Sequence, residues 1–230
     1  MPLLREENQG IRKFQAWINK NSHQILFTAG IALIAVSAFL VALIFYPVAK
    51  EEIKYLVSSK KSDWKVESQK DYSAESNNNL KSKAIVSVDE EFGIVIPKIL
   101  ANAKVIAEVD SQNSDIYQKV LTRGVAHAAG SSLPDESGNT FIFAHSSADI
   151  LEANKYNAVF YLLSKLEAGD DIYLFYKGQK YSYQVTDKKT VSAEEVNYLN
   201  NNAEKQLTLM TCWPPGTTLK RLIIIAKVVD

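Results

Sequence analysis

The 230 residues carry 26 basic and 26 acidic side chains, a formal net charge of zero, and 47% of them are hydrophobic. That length holds one ordinary domain with extra segments, and the charge balance gives no reason to expect a nucleic-acid partner. A single cysteine, Cys212, excludes an intramolecular disulfide.

Residues 1–24 form a short polar head. From Ile25 to Tyr46 there are 22 residues without a charge, and at about 1.5 Å each a helix of that length spans roughly 33 Å, enough to cross a hydrocarbon core. A cleaved signal peptide is the competing reading, with Val36, Ser37 and Ala38 as a small-residue cleavage site. The long polar leader and an apolar run beyond the roughly 7–15 residues of a signal core favour a retained transmembrane anchor over 25–46. Lysines and arginines flank both ends of the run, so charge alone does not orient it.

Pro47 marks the expected end of the anchor, because it lacks a backbone donor and fixes φ. Residues 47–85 are rich in Ser, Asn, Lys and acids and poor in apolar side chains, the composition of a stalk or linker, although Glu51–Val57 suits a further turn or two of helix. From residue 86 onward the pattern changes to short runs rich in β-branched and aromatic residues. Strands are expected at Phe92–Pro97, Ala103–Ala107, Thr140–Ala144, Asp171–Tyr176, Lys180–Val185, Gln206–Thr211 and Arg221–Val228. The short link Lys177–Gln179 carries glycine and fits a hairpin. Ala153–Leu166 and Ser192–Asn200 read as short helices, the second with Ser192 and Glu195 spaced as a capping box. So many short strands predict a mainly β domain, a barrel or sandwich, over 86–230.

The chemistry gathers at strand ends. Alternation along Thr208–Cys212 places Thr208, Met210 and Cys212 on one face and Leu207, Leu209 and Thr211 on the other. Pro215 and Gly216 then suit the central positions of a type II turn. If the next strand returns antiparallel, Arg221 comes back beside Cys212, where a guanidinium can stabilise an oxyanion, a role in which one donor is typically worth about 3–4 kcal/mol. His145 follows an apolar strand and can project into a groove, and His127 is the rival acid or base, whereas His23 adjoins the apolar span. A free thiol has a pKa near 8.5 and needs such a neighbour to become an effective nucleophile. Spacing alone leaves open that Cys212 is a small buried hydrophobe, His145 a hydrogen-bonded strand-end histidine and Arg221 a surface cap. Metal binding by Cys212 with His127 and His145 lacks any short ligand spacing, so no metal and no cofactor is expected.

These residues resemble a known family. Thr208–Cys212 matches the TLxTC signature of sortases, the membrane-anchored cysteine transpeptidases of bacterial surfaces, and Arg221 stands where that family places its arginine. Gly124–His127, Leu133–Pro134, Gly138–Asn139 and Phe141–His145 resemble the segment leading to the family's catalytic histidine, and Phe92–Ile99 resembles its opening strand. The resemblance covers most of residues 86–230. It implies a closed sortase-type β-barrel with short helices behind one transmembrane helix, the N-terminus cytoplasmic and the barrel extracellular. It further implies that Cys212 attacks the scissile carbonyl of an LPxTG-like sorting signal, that His145 moves the protons and that Arg221 steadies the peptide and its oxyanion. Thr211 and His127 are then expected to contact the peptide. The acceptor would be an amine of the cell wall or a pilin.

The chain departs from the family at Ala144, where glycine is common, at Ser146, where arginine often follows the histidine, and at Asp135, another common glycine. Ser62–Trp64 faintly resembles the aspartate-aromatic lid of pilin-type sortases but lacks its proline. Glu108, Asp110 and Asp115 do not by themselves establish calcium regulation. Three alternatives carry different expectations. An L,D-transpeptidase would present a Ser-His-Gly-Cys cluster, whereas Cys212 follows Thr211. A peptide-binding barrel without chemistry would leave Cys212 inert to alkylation. A papain-like protease would have its cysteine before its histidine.

Overall fold

A computed structural model of the chain describes residues 3–58, 65–68, 84–146, 159–194 and 204–229. It comprises two units, Met1–Pro47 and Val48–Asp230. Helix α1 runs from Leu3 to Ser58. Within it, Lys20–Leu43 is long and apolar enough to cross a membrane. Leu26, Phe27, Leu33, Ile34 and Phe39 are each more than 60% exposed. Such a sleeve of large apolar side chains suits lipid rather than water. The helix continues through Pro47 instead of stopping there. Proline removes one hydrogen bond, and its fixed φ is itself helical, so the intact bonds on either side carry the helix onward.

The second unit is built on a closed barrel of eight strands in the order β10-β8-β7-β3-β4-β5-β6-β9, with β9 pairing back to β10. These strands are β3 Phe92–Ile96, β4 Ala101–Val109, β5 Val125–Ala128, β6 Asn139–Phe143, β7 Asp171–Tyr176, β8 Gln179–Ser192, β9 Gln206–Trp213 and β10 Lys220–Val228. The β4/β5 and β6/β9 pairs are parallel and the others antiparallel. Alternate side chains fill the interior, among them Ile94, Ile96, Ile172, Leu174, Leu207, Leu209 and Ile224, all fully buried. The seven strands expected from periodicity are all present.

The hairpin β7–β8 turns on Lys177 and Gly178, both at positive φ (50° and 74°), with Tyr176 opposite Gln179. Two positive-φ residues make the mirror-image turn whose twist matches the flanking strands. Strand β8 outlasts its expected end at Val185, because it leaves β7 and continues along β10 as far as Ser192. A bulge opposite Ile225 and Ala226 makes that change, and the Thr186 hydroxyl donates to the Ile225 carbonyl at 3.2 Å. Ser192 is therefore a strand residue rather than a helix cap, and Glu195–Asn200 lie outside the described residues. The helix expected over Ala153–Leu166 is a 3-10 helix at Tyr161–Lys165 in its described part, with residues 153–158 outside it.

Four elements carry weak sequence signals. Helix α2, Ser114–Leu121, starts on Asn113, whose side chain accepts the Ile116 N–H at 3.3 Å. Strand β5 is a short, wholly buried Val-Ala-His-Ala segment without alternation. Within the stretch read as a stalk, β1 Lys65–Glu67 pairs in parallel with β2 Ala84–Val86. Val66 packs against Val95 and Phe175 in a second cluster outside the main core. Lys180 Nζ donates to the Val66 carbonyl at 3.2 Å, and Asn102 Nδ2 donates to the Val86 carbonyl at 2.7 Å. Residues 69–83 between the two strands, and the lid-like Ser62–Trp64, lie outside the described residues.

That packing predicts the order of stability among fragments. A fragment starting at residue 69 loses the cover of Val95 and Phe175 and melts several degrees below one starting at residue 59. Val66→Ala in the longer fragment costs about 1–2 kcal/mol by denaturant titration.

Candidate active site

Cys212 is the last residue but one of β9, and β10 begins beside it, with Lys220 opposite Trp213. The Pro214 carbonyl accepts the Thr217 N–H at 3.0 Å, and Gly216 sits at φ 80°, so Pro215 and Gly216 occupy the centre of a type II turn, as their sequence suggests. The return strand is antiparallel and places Arg221 directly opposite Cys212. Directly opposed residues of an antiparallel pair share a face. Both side chains therefore stand on the face opposite Leu207 and Leu209, on the outside of the barrel, and both are half-buried.

On the other side of β9 lies β6, in parallel, with Phe141 opposite Thr208 and Phe143 opposite Met210. The ladder continues one step beyond β6, because Ala144 N–H donates to the Met210 carbonyl at 3.2 Å. Carried on by one more residue, the same register sets His145 opposite Cys212 on the outer face. Cys212 and Arg221 are thus paired across β9 and β10, and His145 stands two residues past the end of β6, toward the Cys212 end of β9. His145 is half-buried, and burial pushes its imidazole below its ordinary pKa. Arg221 Nη1 donates to the carbonyls of Thr218 and Lys220, both at 3.1 Å, which rests the guanidinium on the turn. Only one of its three nitrogens makes those bonds.

Thr211 and His127, both expected to contact a peptide, take other positions. Thr211 is 3% exposed and points inward with Leu207 and Leu209. Its hydroxyl donates to the Ala144 carbonyl at 2.9 Å, tying the end of β9 to the residue before His145. Alternation in the sequence already assigns it to that face. His127 is fully buried in β5, so its ring offers no surface to a ligand. The cause is a bulge in β4: the register slips between Ile106 and Val109, Glu108 adopts φ 55°, and its freed N–H donates to His127 Nδ1 at 3.3 Å. With Nδ1 an acceptor, Nε2 carries the proton and faces the Ser132 carbonyl at 3.1 Å and Ser131 Oγ at 2.9 Å. Ser131 Oγ in turn donates to the Ala128 carbonyl and accepts the Phe141 N–H. His127 therefore braces the wall next to β6. No motif in the sequence marks a bulge in β4, which is why this role was not legible there.

Burial lowers the His127 pKa, outweighing the Ser132 carbonyl and the Glu108 and Glu136 carboxylates, which act to raise it. Both histidines thus bind a proton less readily in the folded chain than in an unfolded one, where the ordinary value is about 6.5. The stability they contribute is present above that value and is lost as pH falls toward the depressed folded values. Denaturant titrations from pH 7.5 to pH 5 are expected to show stability falling with acidity. The slope is smaller in His145→Asn, which removes one of the two titrating groups.

Among known proteins, the family described as the sortase domain matches residues 94–229. Sortase A of Listeria monocytogenes is 28% identical over 146 residues, covering 64% of this chain and 54% of that protein. Sortase D of Bacillus subtilis is 29% identical over 136 residues, covering 57% and 60%. The chain thus spans somewhat over half the length of these curated relatives. Among solved structures, sortase C-1 from Actinomyces oris superposes with a TM-score of 0.51 at 30% identity, covering 62% of this chain and 74% of that one. Sortase A from Corynebacterium diphtheriae gives a TM-score of 0.52 at 28% identity, covering 62% and 61%. The family match spans more than half of the chain and includes His145 and the barrel strands that carry Cys212 and Arg221; the chain belongs to the sortase family.

Proposed function

We propose that this chain is a membrane-anchored cysteine transpeptidase that cleaves an LPxTG-like sorting signal and joins the released acyl group to an amine of the cell wall or a pilin. The observation that carries the reading is the pairing of Arg221 opposite Cys212, supported by the β6/β9 register, which, continued two residues past Phe143, brings His145 toward Cys212. In the first half-reaction Cys212 Sγ bonds to the peptide carbonyl carbon while its proton passes to the imidazole of His145. The C–N bond then breaks, and the departing amine takes that proton, leaving a thioester. In the second half the incoming amine attacks the thioester carbonyl and gives its proton to His145. The C–S bond breaks, and the proton returns to sulfur. Lowering of the His145 pKa by burial favours the neutral imidazole that the first transfer needs. Arg221 is assigned the oxyanion of both tetrahedral intermediates.

The apolar stretch 25–46 would hold the enzyme in the membrane, with the N-terminus cytoplasmic and the barrel outside, where sorting signals emerge. Detergent-solubilised chain incubated with a library of LPxTG-like peptides and assorted amines tests the proposal. Mass spectrometry is expected to show a new amide formed from the acyl half of a cleaved peptide. Cleavage with no amide product from any amine would indicate a hydrolase, and no cleavage at all would remove the enzymatic reading.

A further inference from the structure

At the far end of the β6/β9 pair from the proposed site lies a polar cluster with no part in the chemistry above. Asn139 begins β6 and Gln206 begins β9, and the two are register partners. Thr208 Oγ1 donates to Asn139 Oδ1 at 2.8 Å. Gln206 Nε2 stands 3.2 Å from Thr208 Oγ1 and 3.4 Å from Asn139 Oδ1. Asn139 is 1% exposed and Thr208 is wholly buried, although both stand on the outer face that carries Cys212 further along. Cys212 lies four positions beyond Thr208, about 13 Å of strand, too far for either polar group to reach a scissile bond.

The parallel β6/β9 pair has no tight turn to fix its register, because 62 residues intervene between Phe143 and Gln206. Slipping by one residue would turn His145 to the wrong face, and slipping by two would move it about 7 Å along Cys212. Between the polar cluster and the site the outward positions of these two strands are Phe141, Phe143 and Met210, apolar side chains that make no directional bond across the pair. A buried hydrogen-bonded pair does, since displacement leaves both groups unsatisfied.

We propose that Thr208 and Asn139, aided by Gln206, are positioning residues for transfer: their bond locks the β6/β9 register and so holds His145 against Cys212. This rests on the proposed roles of His145 and Cys212. The test uses full-length chain in detergent, with kcat and KM for an LPxTG-like peptide and the pH profile of Cys212 alkylation by iodoacetamide. Thr208→Val, which keeps the side-chain shape, is expected to lower kcat about tenfold with KM within twofold. It should also shift the alkylation profile toward that of His145→Ala. Thr208→Ser restores both. Gln206→Met, which alters only the half-buried member of the cluster, lowers kcat about threefold with the same direction of shift. A Thr208→Val chain that melts earlier but keeps the wild-type kcat and alkylation profile would show the cluster to be merely structural and overturn the inference. An alkylation profile unchanged in His145→Ala would instead remove the His145–Cys212 pairing itself, and the inference with it.

Discussion

Replacing Cys212 with alanine is expected to abolish transfer, with kcat/KM falling by about 10³-fold or more to background while the barrel keeps its fold. The magnitude follows from what is lost. Cys212 is the chain's only thiol, and within the proposed site neither His145 nor Arg221 offers a comparable nucleophile. The fold survives because Cys212 is half-buried at a strand end, outside the apolar interior formed by Leu207, Leu209 and Leu222, so losing its sulfur costs about 1 kcal/mol or less. Steady-state kinetics and a thermal melt read the two halves of the prediction. An alanine variant that retained transfer would contradict it, and so would one that failed only because it no longer folded.

The second large effect belongs to Arg221. Its position opposite Cys212 is set by nine paired positions of β10 against β8 and eight against β9, so the side chain has a fixed root. Its Nη1 bonds to the Thr218 and Lys220 carbonyls leave Nε and Nη2 outside those contacts. A planar fork can brace itself on the turn with one nitrogen and present others to an oxyanion, whereas an ammonium is a single point that must choose. Arg221→Lys is therefore expected to lower kcat about 10²-fold although the charge is kept, and Arg221→Ala about 10³-fold, with small changes in KM. Single-turnover measurements of thioester formation check this directly. A lysine variant with wild-type kcat would reduce Arg221 to a source of charge or a structural cap.

Much of the architecture was legible in the chain because period-two alternation and turn chemistry are local. Thr208–Cys212 and Arg221–Val228 are short β-prone runs, and Pro215-Gly216 joins them by a turn whose type the residues dictate, so an antiparallel return sets Arg221 beside Cys212 from the sequence itself. Elements whose cause is distant could not. Strand β5 has no alternation because it is buried on both sides. Strand β1 is three residues in a polar stretch, and only Val95 and Phe175, far along the chain, give Val66 something to cover. The reach of β8 to Ser192 follows from β10 being there to pair with it, not from the polar residues Thr186–Lys189.

The candidate site divides in the same way. His145, Cys212 and Arg221 stand at strand ends that local patterns locate. Thr211 and His127 belong to the expected motifs too, but a motif does not say which way a side chain faces. Alternation sends Thr211 inward to the Ala144 carbonyl, and the bulge at Glu108 claims His127 for the wall. Both then support the site from behind: one ties β9 to the residue before His145, the other steadies β5 alongside β6.

The claim on which the rest depends is that Cys212 carries the acyl group. The direct measurement is intact-mass analysis of the chain mixed with excess sorting-signal peptide and no added amine, followed by peptide mapping of the adduct. The account predicts a mass increase equal to the acyl half of the cleaved peptide, located on the peptide containing Cys212 and discharged when an amine is added. Turnover of that peptide with no adduct on Cys212, or an adduct that amines do not discharge, would contradict it.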